Sequence, residues 1–411
     1  MLPCVKQAAP EFRGKVSRLL MMRAGLRKDP ATQLDDLKLS IQANPGNAAS
    51  IALLQDNAIQ NGKTAEVIDF MKTLIEQDPD NEQLVCSASE LMAISPDRIQ
   101  ESLTLLTEKI KQFPESVQLL ISRAKIYAIN KETQLSKADL DKSLKLSESN
   151  VDILLLRARV MMQDEKFDEA RKDVDAAFEL DNDRAKTVLL RAEIATEQKR
   201  YSDAISDYQL ILKATPKGQE KNPALLLQLG LLYAQDNRPT QAIKIFDQVI
   251  KSNEDYWEVY RLRGDTRLGL GDHVAAIKDF EKALELIPTD NDDRSGILNN
   301  LAWVLCTTTN DDLRDGKRAL GYAEEACKLT DYKKPHILST LAAAHAEVGD
   351  FEKAMEWSTK GVELARETNE IQLEQLEGEL KSYQEKKPWR EKTETKENKA
   401  PIGQASSGVD S

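Results

Sequence analysis

The stretch EKFDEARKDVDAAFELD, residues 165–181, decides the fold because it recurs. Its Ala170 has counterparts at Ala204 in KRYSDAISDYQLILKATP (199–216), Ala242 in NRPTQAIKIFDQVIKSN (237–253), Ala276 in GDHVAAIKDFEKALELIP (271–288) and Ala354 in GDFEKAMEWSTKGVELA (349–365). The first three intervals are 34, 38 and 34 residues. A second series of small residues runs twelve positions ahead, at Ala158, Ala192, Gly230, Gly264 and Ala342. Two small positions per period imply two helices per period, because antiparallel helices approach closely only where the facing side chains are small. Within one period Leu154, Met161, Val174 and Ala177 recur at helical spacing, and polar turns such as QDEK (163–166) separate the helices.

These residues resemble the tetratricopeptide repeat (TPR), a helix-turn-helix unit of about 34 residues with small side chains at its eighth and twentieth positions. Pro45, Pro79, Pro114, Pro216 and Pro288 match the family's proline just after the second helix, where the missing N–H ends the helix. The resemblance implies an all-α fold: a right-handed α-solenoid, or superhelix, of about ten TPR units closed by a C-terminal capping helix. Units are expected to begin near Gly14, Ala48, Glu82, Val117, Val151, Ala185, Pro223, Trp257, Ser295 and Pro335. This divides the chain into a lead-in (1–13), divergent units one to four (14–150), well-matched units five to eight (151–294), units nine and ten (295–368), a capping helix (369–387) and a disordered tail (388–411). The early units are weaker, with Gln55 and Ser89 at the first small position and Val67 and Ser102 at the second.

Unit nine departs most from the pattern. In NNLAWVLCTTTNDDLRDGKRALGYAEEACKLT (299–330), Ala302 and Ala319 stand 17 residues apart, which lengthens the inner turn by five. The phrase resembles the C-terminal units of large bacterial TPR proteins, in which an asparagine-rich first helix precedes a DG-x-R/K-A second helix. Ile371, Leu373, Leu376, Leu380 and Tyr383 give the capping helix one apolar face, whereas the sequence beyond Pro388 lacks the apolar content to fold.

Composition narrows the function. Lys and Arg total 57 against 69 Asp and Glu, a formal charge of -12, so no concentrated positive field is expected for nucleic acid or an anionic membrane. No segment reaches the roughly 18 apolar residues of a membrane span, and the N-terminus lacks a signal peptide's apolar run, so a cytoplasmic location is expected. The chain enters a repeat almost at once, so an upstream targeting region is a further expectation. Cys4, Cys86, Cys306 and Cys327 have no CxxC spacing; buried free thiols are expected, with a Cys306–Cys327 bridge the alternative. His273, His336 and His345 form no metal-ligand spacing, and the acidic runs at 289–293 and 310–316 lack the order of a calcium loop. No catalytic site, metal or cofactor is expected.

The expected function is a non-enzymatic scaffold that binds a protein partner, as an extended peptide or a helix, in the concave groove. The alternative is the non-catalytic arm of a larger enzyme or export complex. Family groove positions fall three, four and three residues apart on each first helix, on one stripe. Carried over, they include Leu189 in unit six, Leu227 and Leu231 in unit seven, Arg261 and Asp265 in unit eight, and Trp303 in unit nine with Asn299 and Asn300 beside it. Trp303 is expected to face solvent as an anchor inside a polar rim, with packing against the last units or the long turn as the alternative. A carboxylate clamp is not matched, since Asp265 would repel a terminal carboxylate.

Overall fold

A computed structural model describes residues 9–181, 185–216, 218–368 and 373–391. Among these residues the chain is 79% helical, with 21 helices and no strands, an all-α solenoid. First helices begin at Ala48, Glu82, Val117, Val151, Ala185, Pro223, Trp257 and Pro335, each followed by a second helix, as in Val151–Gln163 and Phe167–Leu180. Contacts divide the chain into two blocks, the first ending at Ile194.

In the first block, polar caps set where the helices start. Asn47, Asn81, Ser116 and Asn150 each accept a hydrogen bond from the backbone N–H three residues on, at Ser50, Leu84, Leu119 and Ile153. The opening helix runs Pro10–Leu26, so it starts four residues ahead of the expected Gly14 and takes in the end of the presumed lead-in. Proline at its first turn suits that start. The core consists of two clusters of buried apolar side chains, one from Ala24 to Ile126 and one from Ala124 to Ile194.

The third repeat keeps the close helix contact by using serine, and further serines are buried between the helices at the start of the block. Ser89 and Ser102 are fully buried, and the Ser102 hydroxyl donates to the Ser89 carbonyl at 2.8 Å. Ser40 donates to the Ser17 carbonyl at 2.7 Å and its hydroxyl lies 2.8 Å from that of Ser50. A serine hydroxyl is little larger than a methyl group; those of Ser102 and Ser40 are satisfied on facing carbonyls, whereas the Ser89 hydroxyl is buried without a partner.

The second block shows the contact at its tightest. A Cβ added at Gly264 would lie 2.8 Å from Cε1 of Phe280, and one at Gly230 would lie 2.5 Å from Cε1 of Phe246. Both phenylalanines are fully buried. Each phenylalanine follows the second small residue, Ala276 or Ala242, by four positions, so ring and alanine face the glycine together. Where the first small residue is Ala158 instead, the equivalent of the ring is the smaller Val174.

A polar pair accompanies the contact on both blocks. Arg123 forks onto Asp139 with two bonds of 2.7 Å, Arg157 onto Asp173 at 2.7 and 2.5 Å, and Arg263 onto Asp279 at 3.0 and 2.7 Å. Each arginine sits on a first helix and its aspartate on the second. Arg157 also reaches back to Asp141 at 2.6 Å and Arg263 to Asp247 at 2.5 Å, so the fork ties one repeat to the one before it.

The final helix runs Leu373–Gln384 and closes the second block. Leu376 and Tyr383 are buried, and Leu373 and Leu380 pack partly; Ile371 lies outside the described residues. Its Glu379 is fully buried and accepts from Ser339 at 2.5 Å and from Gln375 at 2.9 Å.

Two outcomes follow for stability. Gly264→Ala should cost about 1–3 kcal/mol in urea unfolding by overpacking against Phe280, while Gly321→Ala, in open space on the exposed face of helix Gly316–Leu329, should stabilise by roughly 0.5–1 kcal/mol. Equal effects would contradict the contact. Burial lifts the Glu379 carboxyl above the usual carboxylate range, against the two hydrogen bonds that favour its charged form. Folding therefore favours the protonated acid, a contribution present below the unfolded carboxylate range and lost as pH rises through the raised value. Glu379→Gln should raise stability by about 1 kcal/mol near pH 8 and little near pH 4, read as melting temperature against pH.

Candidate partner-binding site

Leu227 and Leu231 lie on helix Pro223–Gln235, Arg261 and Asp265 on Trp257–Gly269, and Asn299, Asn300 and Trp303 on Arg294–Thr307. All seven are partly buried. Leu189 is also partly buried and belongs to the first block, on Ala185–Glu197.

Four of these side chains form one polar chain across two helices. Arg261 Nη1 donates to Asp265 Oδ2 at 3.1 Å, Asn300 Nδ2 donates to Asp265 Oδ1 at 2.8 Å, and Asn299 Nδ2 donates to Asn300 Oδ1 at 3.2 Å. Arg261 Nε and Asn299 Oδ1 remain buried with no partner, so the network holds one spare donor and one spare acceptor. Burial raises the Asp265 carboxyl above its ordinary value, although Arg261 and Asn300 favour the carboxylate. Asp265 also lines a hollow of about 310 Å³ with Leu231, Ala234, Phe246, Leu262 and Thr266. The structure thus brings Leu231 and Asp265 to one cavity with an apolar wall and an acidic edge. Leu227 is not among its lining residues.

Trp303 does not stand as a free anchor. Its ring packs partly against the core of the second block, and its indole N–H donates to the Glu391 carboxylate. The chain causes this by turning back after the last helix: Lys386 takes a left-handed φ of 55°, and residues 388–391 run across the end of Arg294–Thr307. These four residues, expected to belong to a disordered tail, are fixed by Glu391 N–H donating to the Thr307 carbonyl at 3.0 Å and Arg390 donating to the Cys306 carbonyl at 3.1 Å. Residues 392–411 lie outside the described residues.

A larger hollow, about 520 Å³, opens in the first block beside Ile75, Met92, Gln100, Thr104 and Leu105. It lies mainly between the second helices Thr64–Gln77 and Ile99–Gln112, away from the groove positions, which belong to first helices. Cys86, Cys306 and Cys327 are buried and free; burial pushes the Cys86 and Cys327 thiols up to about 12 and Cys306 higher still. Such thiols are poor nucleophiles at neutral pH. Among the described residues no group of His, Cys, Asp and Glu is placed to hold a metal ion, and no helix is long and apolar enough to cross a membrane.

The family description "Tetratricopeptide repeat protein 21 C-terminal ARM domain" matches residues 63–262, and "Tetratricopeptide repeat" matches 246–374. The chain is a tetratricopeptide repeat protein. Among solved structures, the C-terminal part of a TPR repeat-containing protein from Cytophaga hutchinsonii superposes with a TM-score of 0.51 at 14% identity, covering 61% of this chain and 98% of that one. A TPR protein from Parabacteroides merdae gives 0.40 at 18% identity, with 62% and 97% covered. Yeast Tom70 gives 0.39 at 13%, with 90% and 96% covered. No match was found among curated proteins. The TPR repeats support a protein-interaction scaffold, for which the surfaces they leave open are the available sites. Of those, the hollow at Leu231 and Asp265 joins two of the expected groove residues.

Proposed function

We propose that this chain is a non-enzymatic scaffold that holds an extended peptide or a partner's helix at the first helices of its seventh to ninth repeats. The observation that carries the reading is the hollow lined by Leu231 and Asp265, because it pairs apolar surface with a carboxylate and adjoins a network with a spare donor and acceptor. An apolar anchor on the ligand would fill the Leu231 side. A donor on its backbone or side chain would meet Asp265. The partner is a protein rather than nucleic acid, in keeping with the formal charge of -12, and buried free thiols suit a reducing compartment such as the cytoplasm.

A second reading, the non-catalytic arm of a larger enzyme or export assembly, is favoured by the opening helix. Phe12, Leu19, Met22 and Leu26 are exposed along one face of Pro10–Leu26, a stripe that suits a further packed element. In-frame sequence encoding such an element ahead of Met1 would support it, and a separate start signal there would oppose it.

The scaffold reading is tested by Leu227→Ser combined with Leu231→Ser. Partner capture from lysate, quantified by mass spectrometry, should fall by roughly tenfold or more, with the helical circular-dichroism signal unchanged. Full capture by the folded variant would overturn it.

A further inference from the structure

Helix Arg294–Thr307 ends beside the long turn of the ninth repeat, and its last carbonyls need partners from outside the helix. The turn supplies some of them: Asp315 N–H donates to the Leu305 carbonyl at 3.0 Å, and Arg314 donates to the Thr308 carbonyl at 3.0 Å. The Cys306 and Thr307 carbonyls are left to Arg390 and to the Glu391 N–H. One surface therefore presents two outward carbonyls at the negative end of a helix, the Trp303 indole N–H, and the Glu347 carboxylate, which pairs with Arg390 at 2.6 Å. That set asks for a cation, a backbone N–H and an acid in consecutive residues of an extended chain. Trp389 completes the pattern. Its ring lies over Gly378, whose absent Cβ would sit 3.7 Å from it.

Two features mark this contact as one that can open. Glu347 keeps a second partner, Arg314 Nε at 3.0 Å, so departure of Arg390 strands no buried charge. Trp389 Nε1 is buried without a hydrogen-bond partner, so the strap formed by residues 389–391 is an imperfect occupant of its own site.

We propose that the C-terminal end of helix Arg294–Thr307, with Trp303 and Glu347, is a binding site for extended peptides of aromatic–arginine–acidic sequence, and that residues 389–391 occupy it as an internal competitor. The proposal deepens the scaffold reading and rests on it, at a site separate from the Leu231 hollow. A ligand of this chemistry binds only the fraction of molecules whose strap is open, so loosening the strap raises apparent affinity.

The test uses the full chain and a fluorescent peptide, KPWREK, copying residues 387–392, with a control of the same composition in reversed order. By anisotropy, Trp389→Ala/Arg390→Ala should bind KPWREK roughly tenfold more tightly than the unaltered chain, and Glu391→Gln, which keeps the Trp389 packing, roughly threefold more tightly. The reversed peptide should bind neither variant. Equal affinity for all three proteins, or no binding to a Glu391→Gln protein that melts normally, would make the strap a fixed structural cap and overturn the proposal. So would a dimer formed by the loosened variants that excludes the peptide. Leu227→Ser/Leu231→Ser introduced with Glu391→Gln should leave KPWREK binding intact, so failure at the hollow and failure at the strap are read separately.

Discussion

The repeats depend on two helices coming close at small residues, and in two of them the approach goes so far that a phenylalanine ring lies where a Cβ would otherwise be. At Gly264 and Phe280 the space is gone, and at Gly230 and Phe246 it is tighter still. That approach fixes the register of one helix on its partner, because a shift by one residue would set a side chain against a side chain. Once the pair is fixed, its remaining apolar residues face the next pair, and the core extends along the chain. The arginine–aspartate forks work with this contact: they sit on the same two helices and add an ion pair to the preceding repeat, as Arg263 does with Asp279 and Asp247.

The fold was legible wherever that contact is made by glycine or alanine. Ala158, Ala170, Ala204, Gly230, Ala242, Gly264 and Ala276 are invariably buried, and their spacing alone separates first helices from second. Legibility fell in the third repeat because serine does the same steric work while reading as a polar residue. Ser89 and Ser102 look like departures until the hydroxyl of one is found on the carbonyl of the other. The forks were missed for a different reason: charged residues sixteen apart carry no helical periodicity, and only the antiparallel pairing brings Arg157 to Asp173.

The candidate site was legible in part. The family's groove positions put Arg261 and Asp265 on one stripe and Asn300 beside the next, and the structure joins them by hydrogen bonds. Of the two expectations for Trp303, the structure has the packed one, and the segment covering it was hard to foresee because it follows a chain reversal and carries a single aromatic, Trp389, among charged residues. Apolar content said that segment would not fold by itself. It does not need to, since it is placed by carbonyls that a helix end leaves open and by the Glu347 carboxylate. The lengthened turn of the ninth repeat and the strap thus answer one requirement, the partners of one helix terminus.

On our proposal, the scaffold engages its partner through the first helices around Leu231 and Asp265. Amide hydrogen exchange of the full chain, free and with its captured partner, tests this directly. Added protection in Pro223–Gln235 and Trp257–Gly269, with the second helices Thr64–Gln77 and Ile99–Gln112 unchanged, is the predicted result. Protection confined to those second helices, around the 520 Å³ hollow, would contradict it.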